Sequence, residues 1–344
     1  MSKQASARKW ARILAGAASA VLLLAGCAQQ PDASSDGAES GSTTTSAVKT
    51  TVKVAAIKGP TGIGIVNLMK QDADGATAND YEVQIVASPE DVVAKVANSE
   101  VDIASVPTNL AATLYSKTQK NVQMLAVNTG SVLYILEKGN TISQMADLKG
   151  KTIYTTGQGA NPEYVLRYLL TQNGLDPDQD VKLEFVSQND ELATLLATGK
   201  AEYAMVPEPV VTAALAQNKE LRIALDLTEL WNATGDSRLL MGCVIARKSF
   251  VQEHPEAVEA FLKEYKASVE AATQQLDATA ALCEEYGIIP KAAVAKQAIP
   301  RCGIVYIDGA AMKQQIEGYY EVLFAANPKS IGGAKPDEAF YYKG

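Results

Sequence analysis

The chain alternates short apolar runs with stretches whose apolar residues recur every three or four positions. Aliphatic and β-branched residues dominate runs at 52–57, 81–87, 101–106, 122–127, 152–156, 181–186, 201–206 and 221–227. Runs of this length separated by helical periodicity predict strands alternating with helices, the pattern of parallel α/β sheets. Two more strand runs lie at 132–137 and 239–247, and from Phe250 onward the pattern turns helical. His254-Pro255 opens one of those helices. Proline suits the first helical position, which leaves His254 facing solvent at the helix start.

An internal repeat orders these elements. The segment Val92 to Pro107 lines up with Leu192 to Pro207 at a constant offset of 100 and without a gap. Each copy reads as an amphipathic helix, a polar turn, an acid, a short apolar strand and a proline. Upstream, Val54-Ala55-Ala56-Ile57 before Gly59-Pro60-Thr61-Gly62 corresponds to Thr152-Ile153-Tyr154-Thr155 before Gly157-Gln158-Gly159. Two similar α/β units about 100 residues apart predict a duplicated, two-lobed body. The runs 132–137 and 239–247 bracket the second unit and are the expected crossover strands. The predicted division is therefore a first lobe at 51–132, a second lobe with the crossovers at 133–244, and the rest of the first lobe with C-terminal helices at 245–344.

The N-terminus changes the picture. Lys3, Arg8, Lys9 and Arg12 precede an apolar run from Ile13 to Leu24, too short for a transmembrane span and flanked as a secretory signal is. Its end, Leu24-Ala25-Gly26-Cys27, resembles a bacterial lipobox, which implies cleavage after residue 26 and lipidation of Cys27. Residues 27–50 form a Ser/Thr/Gly/Ala-rich spacer that cannot bury apolar area and reads as a flexible tether. Removing the first 26 residues leaves 318 residues with 27 basic and 39 acidic positions, a more acidic chain than the full-length charge of −8. An acidic chain without a basic run is a poor partner for nucleic acid. One histidine among 344 residues excludes multi-histidine metal sites. Beyond Cys27 the cysteines are Cys243, in an apolar run suited to a core thiol, and Cys283 and Cys302, which read equally as a disulfide or as two buried thiols. No metal site or cofactor is expected.

Together these features resemble the type II periplasmic-binding proteins, the solute receptors of bacterial ABC importers. The likeness is greatest to the group containing alkanesulfonate, nitrate and taurine receptors and receptors for thiamine-precursor pyrimidines. It rests on the lipobox, Lys58-Gly59-Pro60-Thr61-Gly62, Asp102-Ile103-Ala104, Asp147-Leu148-Lys149-Gly150-Lys151-Thr152-Ile153 and Pro207-Glu208-Pro209, and covers residues 51 to about 325. The resemblance implies a monomeric, lipid-anchored extracytoplasmic receptor that closes on a small molecule and delivers it to a membrane permease and its ATPase. Some relatives of this fold are enzymes, including a pyrimidine-forming one with histidine and a cysteine-rich segment; this chain has no such set. A signalling surface lipoprotein is the other alternative.

In open α/β sheets ligands bind beyond the carboxyl ends of strands, where helix N-termini point. Four junctions qualify, and they name Thr61, Gly62, Thr108, Asn109, Gln158, Gly159, Asn161 and Glu208 as candidate ligand contacts. Asn161-Pro162 and Glu208-Pro209 each read as an N-cap followed by proline. Tyr134 on the first crossover and Trp231 after the strand ending near Leu227 are candidate aromatic walls. Glu208 pairs with Thr108 in the repeat, so a carboxylate stands on one side of the cleft only. If it faces the cleft, it favours an amine, amidine or N–H donor over a sulfonate, and a nitrogen heterocycle is the expected ligand.

Overall fold

A computed structural model describes residues 49–130, 132–235 and 237–344. The segment expected to be a signal peptide, Cys27 and nearly all of the expected spacer lie outside them. The described strands are β1 (Thr51–Ile57), β2 (Asp80–Val86), β3 (Ile103–Pro107), β4 (Val122–Thr129), β5 (Leu133–Lys138), β6 (Thr152–Thr155), β7 (Lys182–Phe185), β8 (Tyr203–Pro207), β9 (Leu221–Asp226), β10 (Gly242–Arg247) and β11 (Ile304–Asp308). They form two sheets, ordered β11-β4-β10-β3-β1-β2 and β7-β6-β8-β5-β9. All ten runs read as strands in the sequence are strands. β11 interrupts the C-terminal region expected to be helical throughout: Ile304-Val305-Tyr306-Ile307 has β-branched and aromatic side chains between Gly303 and Asp308.

The two sheets share one plan. β1 pairs in parallel with β2 and β3, and β6 pairs in parallel with β7 and β8. Each sheet then departs from the expected all-parallel pattern. β10 runs antiparallel to β3 and β4, with Gly242 opposite Pro107, and β5 runs antiparallel to β8 and β9, with Leu133 opposite Pro207. β10 and β5 each follow a passage between sheets, whereas β11, antiparallel to β4, returns to its own sheet from the C-terminal helices. β10 and β5 do not follow a helical crossover returning to the same sheet, so nothing obliges them to run parallel. The expected crossover strands 132–137 and 239–247 are thus β5 and β10. Each pairs within a single sheet, and the passages precede them, between Thr129 and Leu133 and between Thr234 and Gly242.

The repeat survives in three dimensions with one adjustment. The helix Pro89–Ala97 and β3 correspond to the helix Asn189–Ala197 and β8 at the offset of 100. Their apolar sides match, with Val92 and Val96 buried in one copy and Leu192 and Leu196 in the other. Full burial of one such side chain is worth about 1.5–3 kcal/mol. For the first strands, Val54 and Ile103 are partners where Ile153 and Tyr203 are, so the offset is 99 and not the 98 that the sequence alignment gives. Short strands before glycine loops carry too few distinctive side chains to fix a one-residue shift by pattern.

The acid before the first repeated strand is structural. Asp102 accepts from the Lys53 N–H (2.9 Å) and pairs with the Arg247 guanidinium (2.5 Å), tying β1, β3 and β10 at their far ends. His254 is exposed and precedes the helix Pro255–Gln274, with Pro255 in its first turn, as expected. Cys243, Cys283 and Cys302 are all buried free thiols, which decides the open question about the last two. Among the described residues no helix is long and apolar enough to cross a membrane.

Glu137, at the end of β5, is fully buried and accepts from the N–H groups of Thr141 and Ile142, the Thr141 hydroxyl and the Arg222 guanidinium. Burial alone would raise its pKa, but these donors together outweigh it and hold the carboxyl below the usual range. A carboxyl depressed in the folded state stabilises above its unfolded pKa, about 4.3, and that contribution is lost as pH falls through the folded value. Glu137→Gln is expected to cost about 1.5–3 kcal/mol at pH 7. In urea unfolding curves the gap to the native chain should narrow below about pH 4. A gap that stays constant down to pH 3 would contradict this account.

Candidate functional site

The carboxyl ends of the parallel strands of both sheets converge on one cavity of about 490 Å³. Pro60 and Thr61 follow β1, Pro89 and Glu90 follow β2, and Pro107, Asn109 and Leu110 follow β3. From the second sheet come the stretch Gly157 to Pro162 after β6, Asn189 after β7 and Pro207 at the end of β8. Thr129, Val132, Leu133 and Met241, from the ends of β4, β5 and β10, complete the lining. Two larger hollows, of about 700 and 720 Å³, lie along the helix Gly309–Ala326. We place the site in the smaller cavity because strand ends and helix starts from both sheets meet there, as the α/β rule requires.

Local bonding holds the first-sheet rim. The Thr61 carbonyl accepts from Asn128 Nδ2 (3.1 Å), which also donates to the Tyr265 hydroxyl (2.9 Å). Gly62 packs under this turn and does not line the cavity. A Cβ there would stand 2.2 Å from the Ile57 carbonyl oxygen, so only glycine fits. Thr108 is fully buried; its N–H donates to the Met241 carbonyl (3.0 Å) and its hydroxyl to the Leu240 carbonyl (2.8 Å). It serves the passage into β10 and does not line the cavity. Asn109 lines it, with Nδ2 reaching the Ser330 carbonyl at 3.4 Å.

On the second-sheet side, Gly157 and Gly159 have φ of 79° and 73°, left-handed values that L side chains resist. They turn the chain so that Gln158, Gly159 and Asn161 all line the cavity. The N–H of Gly159, a candidate ligand contact, donates to Glu163 (2.7 Å), whose other oxygen pairs with Arg167. The helix that follows is Asn161–Gln172, with Ala160 in the capping position, so Asn161 lies one residue inside the helix. Asn161 is 3% exposed, and its Oδ1 has no hydrogen-bond partner. A buried acceptor left in that condition costs about 1–3 kcal/mol.

Glu208 does not face the cavity. Its backbone N–H donates to the Val132 carbonyl (2.9 Å), mirroring Thr108. Its buried carboxylate pairs with Arg301 Nε (2.5 Å) and accepts from the N–H and hydroxyl of Thr212, both 3.1 Å. The following helix, Val210–Gln217, has Pro209 in the capping position, so Glu208 precedes the cap but still satisfies a first-turn N–H through its side chain. The sequence argument that took Glu208 as a ligand-facing carboxylate is therefore corrected. Arg301, 93 positions away, neutralises it, and no spacing rule in the chain pairs the two.

The expected aromatic walls are also engaged elsewhere. The Tyr134 hydroxyl donates to the Arg301 carbonyl (3.0 Å). Trp231 is fully buried between Tyr168 and Tyr319, ring centroids 4.4 and 5.5 Å away, and its indole N–H donates to Ser237. Large rings at the ends of such strands gain more from core packing than from an open cleft. Among the described residues the cavity walls contain no aromatic ring; five prolines, Leu110, Leu133 and Met241 supply the apolar surface. The sequence reading missed Pro89 and Asn189, although the offset of 100 places them at equivalent helix starts. It also missed Thr129, Val132, Leu133 and Met241, which only the passage between sheets brings to the floor.

The electrostatics are simple. Among the described lining residues Glu90, which is exposed, carries the only formal charge, and no lysine, arginine or histidine lines the cavity. Burial raises the Cys283 pKa to about 12 and pushes those of Cys243 and Cys302 up as well, so all three thiols are neutral and unreactive at pH 7.

Comparisons with known proteins agree with this architecture. The family described as NMT1/THI5 like matches residues 77–278, more than half of the chain. No curated protein matches. Among solved structures, an ABC transporter from Parabacteroides distasonis is 25% identical, with a TM-score of 0.73 over 86% of this chain and 99% of its own. The periplasmic aliphatic sulphonate binding protein SsuA from Escherichia coli is 16% identical, TM-score 0.68, over 86% and 93%. The ligand binding component of an ABC-type import system from Staphylococcus aureus is 13% identical, TM-score 0.64, over 86% and 97%. The fold is thus that of the periplasmic binding proteins.

Removing Arg301 would strand a buried carboxylate with only Thr212 as donor. Arg301→Ala is expected to destabilise the chain by about 3 kcal/mol, while Arg301→Ala combined with Glu208→Gln should recover part of that loss. Urea unfolding of the single and double variants measures both; additive losses would show that the pair is not coupled.

Proposed function

We propose a receptor role for this chain, which belongs to the NMT1/THI5-like family: it captures a small neutral or cationic nitrogen heterocycle, such as a thiamine-precursor-like pyrimidine, for an ABC importer. The observation that carries the reading is the cavity at the strand ends of both sheets, lined by carboxamides, hydroxyls and proline rings and, among the described residues, by no cation. A sulfonate stripped of water there would meet no positive side chain, and Glu90 adds a negative one, whereas ring N–H and amino donors find acceptors. Pro60, Pro107, Pro162 and Pro207 supply rigid apolar surface where aromatic side chains do not.

Capture proceeds by closure. The sheet of β1–β4, β10 and β11 belongs to one lobe and the sheet of β5–β9 to the other, so the expected boundary at 244 moves ahead of β10, and the passages before β5 and β10 absorb the hinge motion. A ligand touching both lobes favours the closed state by its difference in affinity for the open and closed forms. The permease, with its ATPase, then takes up the ligand from the closed monomer outside the cytoplasm. Binding without turnover accords with the chemistry available: His254 is exposed and absent from the cavity lining, and the three thiols are protonated. Thr61, Asn109, Gln158, Gly159 and Asn161 are the contacts of the ligand; Gly62, Thr108, Tyr134, Glu208 and Trp231 shape and brace the site.

A sulfonate receptor is the competing reading, since a solved neighbour carries that description. Titration of the purified chain separates the two. 4-Amino-5-(hydroxymethyl)-2-methylpyrimidine is expected to bind and, at 100 times its dissociation constant, to add about 2.7 kcal/mol of stability. Taurine and MOPS should produce no shift. Tight binding of either sulfonate with no response to the pyrimidine overturns the ligand assignment.

Lipid on Cys27 would hold the receptor beside its permease, two or more acyl chains giving stable attachment where one gives only marginal binding. In cells fed radiolabelled palmitate the native chain should carry label and sediment with membranes. Cys27→Ser should lose both properties. An unlabelled native chain in the soluble fraction would refute the anchor.

A further inference from the structure

The helix Asn161–Gln172, which follows β6 of the second sheet, meets the first-sheet half at successive turns. At its start, Asn161 Nδ2 reaches Thr108 Oγ1 and the Met241 carbonyl only at 3.4 and 3.5 Å. One turn on, the Tyr164 hydroxyl accepts from Asn327 Nδ2 (3.1 Å). Another turn on, Tyr168 packs on Trp231, which in turn packs on Tyr319 of the helix Gly309–Ala326. That helix rests on β4 and β11 of the first sheet. Past Tyr168 the packing stops. A hollow of about 720 Å³ lies between Thr171 and Gln172 on the first helix and Gly318, Val322 and Ala325 on the second. Packed helix pairs leave no space of that size, since their axes lie about 8–10 Å apart with side chains interlocked. At about 1.5 Å per residue, the helix Asn161–Gln172 spans about 16 Å from the cavity to this hollow.

These contacts differ in strength. Trp231 and Tyr319 are fully buried, and parting them would expose rings that each hide about 150–250 Å². The Arg301–Glu208 pair is a second strong bridge between the halves. The Asn161 hydrogen bonds, by contrast, are long and weak. The cavity end of the helix therefore yields before its middle does. A further hollow of about 700 Å³ meets the first at Gly318 and is lined by Arg238, in the passage into β10; the other end of that passage, Met241, lines the cavity. The passage thus runs from the space in front to the space behind. Gly318, Val322 and Ala325 recur at helical spacing, an apolar face turned to the hollow. We infer that this hollow is a counter-cleft: as the cavity opens, the helix Asn161–Gln172 rocks about Tyr164 and Tyr168, and its last turn closes on Gly318, Val322 and Ala325. Closing it expels water and buries apolar surface, which favours the open cavity. The hollow then sets the affinity for every occupant by a common factor, through the balance of open and closed forms, and leaves selectivity unchanged.

This inference rests on the closure step of the receptor reading, and its test reads the ligand-free chain. Ala325→Trp and Thr171→Trp each fill the hollow from one wall; both positions are exposed, so neither variant replaces a core side chain. Ala311→Trp, exposed on the same helix as Ala325 but outside the hollow lining, is the control. Spin labels on Ala94→Cys and Thr194→Cys, exposed and equivalent in the repeat, report the distance between the halves in a Cys27→Ser chain, whose other thiols are buried. Pulsed EPR of the ligand-free chain is expected to show a longer-distance population that Ala325→Trp and Thr171→Trp both deplete and Ala311→Trp leaves unchanged. Affinity for 4-amino-5-(hydroxymethyl)-2-methylpyrimidine should rise about 3- to 10-fold in both hollow-filling variants, through slower release. A distance distribution that neither variant moves, or that lengthens, overturns the inference and leaves the receptor reading intact. Depletion of the longer-distance population in a chain that binds no pyrimidine supports the rocking motion and overturns the ligand assignment alone. If one variant fails to fold, the other reads the same hollow from the opposite wall.

Discussion

The molecule depends on an exchange of central strands. β10 completes the first sheet against β3, and β5 completes the second against β8, yet in chain order each arrives from the other half. An incomplete sheet would leave a row of backbone donors and acceptors without partners, so neither half is finished until the chain has crossed. The crossing points are thereby pinned beside the strand ends. That one constraint sets the cavity floor, through Val132, Leu133 and Met241.

The exchange also explains why equivalent positions of the repeat lead different lives. Thr108 and Glu208 both donate a backbone N–H to the residue entering the inserted strand, Met241 and Val132 respectively. Their side chains then diverge. The threonine hydroxyl closes on a neighbouring carbonyl, whereas the carboxylate needs stronger compensation and finds it in Arg301 and Thr212. A buried carboxylate without such partners would cost several kcal/mol. Glu208 is therefore part of the frame, and the polarity of the site falls to carboxamides and hydroxyls.

Solved neighbours of this fold include a sulfonate-binding protein and other import components, which illustrates how little the fold alone says about the ligand. Among the described residues the cavity wall carries no cation, so under the proposed reading discrimination rests on paired donors and acceptors, where a missing partner is penalised more than a matched one is rewarded. Such a site suits a solute recognised by shape and hydrogen-bond pattern.

The order of strands and helices, the repeat and the strand ends that line the cavity were legible in the sequence because they rest on local properties. Apolar periodicity gave ten strands, the offset of 100 gave the duplication, and glycine–proline loops marked Thr61, Gln158, Gly159 and Asn161 at strand ends. Interactions between distant residues were not legible. Arg301 meets Glu208, Trp231 meets Tyr319, and β11 joins β4 only once the C-terminal segment has folded back over the first sheet. Sequence by itself determined where polar groups would gather, since each junction is built from its own few residues. The tertiary structure alone decided which of them remained available, because a buried charge or ring is claimed by whichever partner the fold brings within reach, at any distance along the chain.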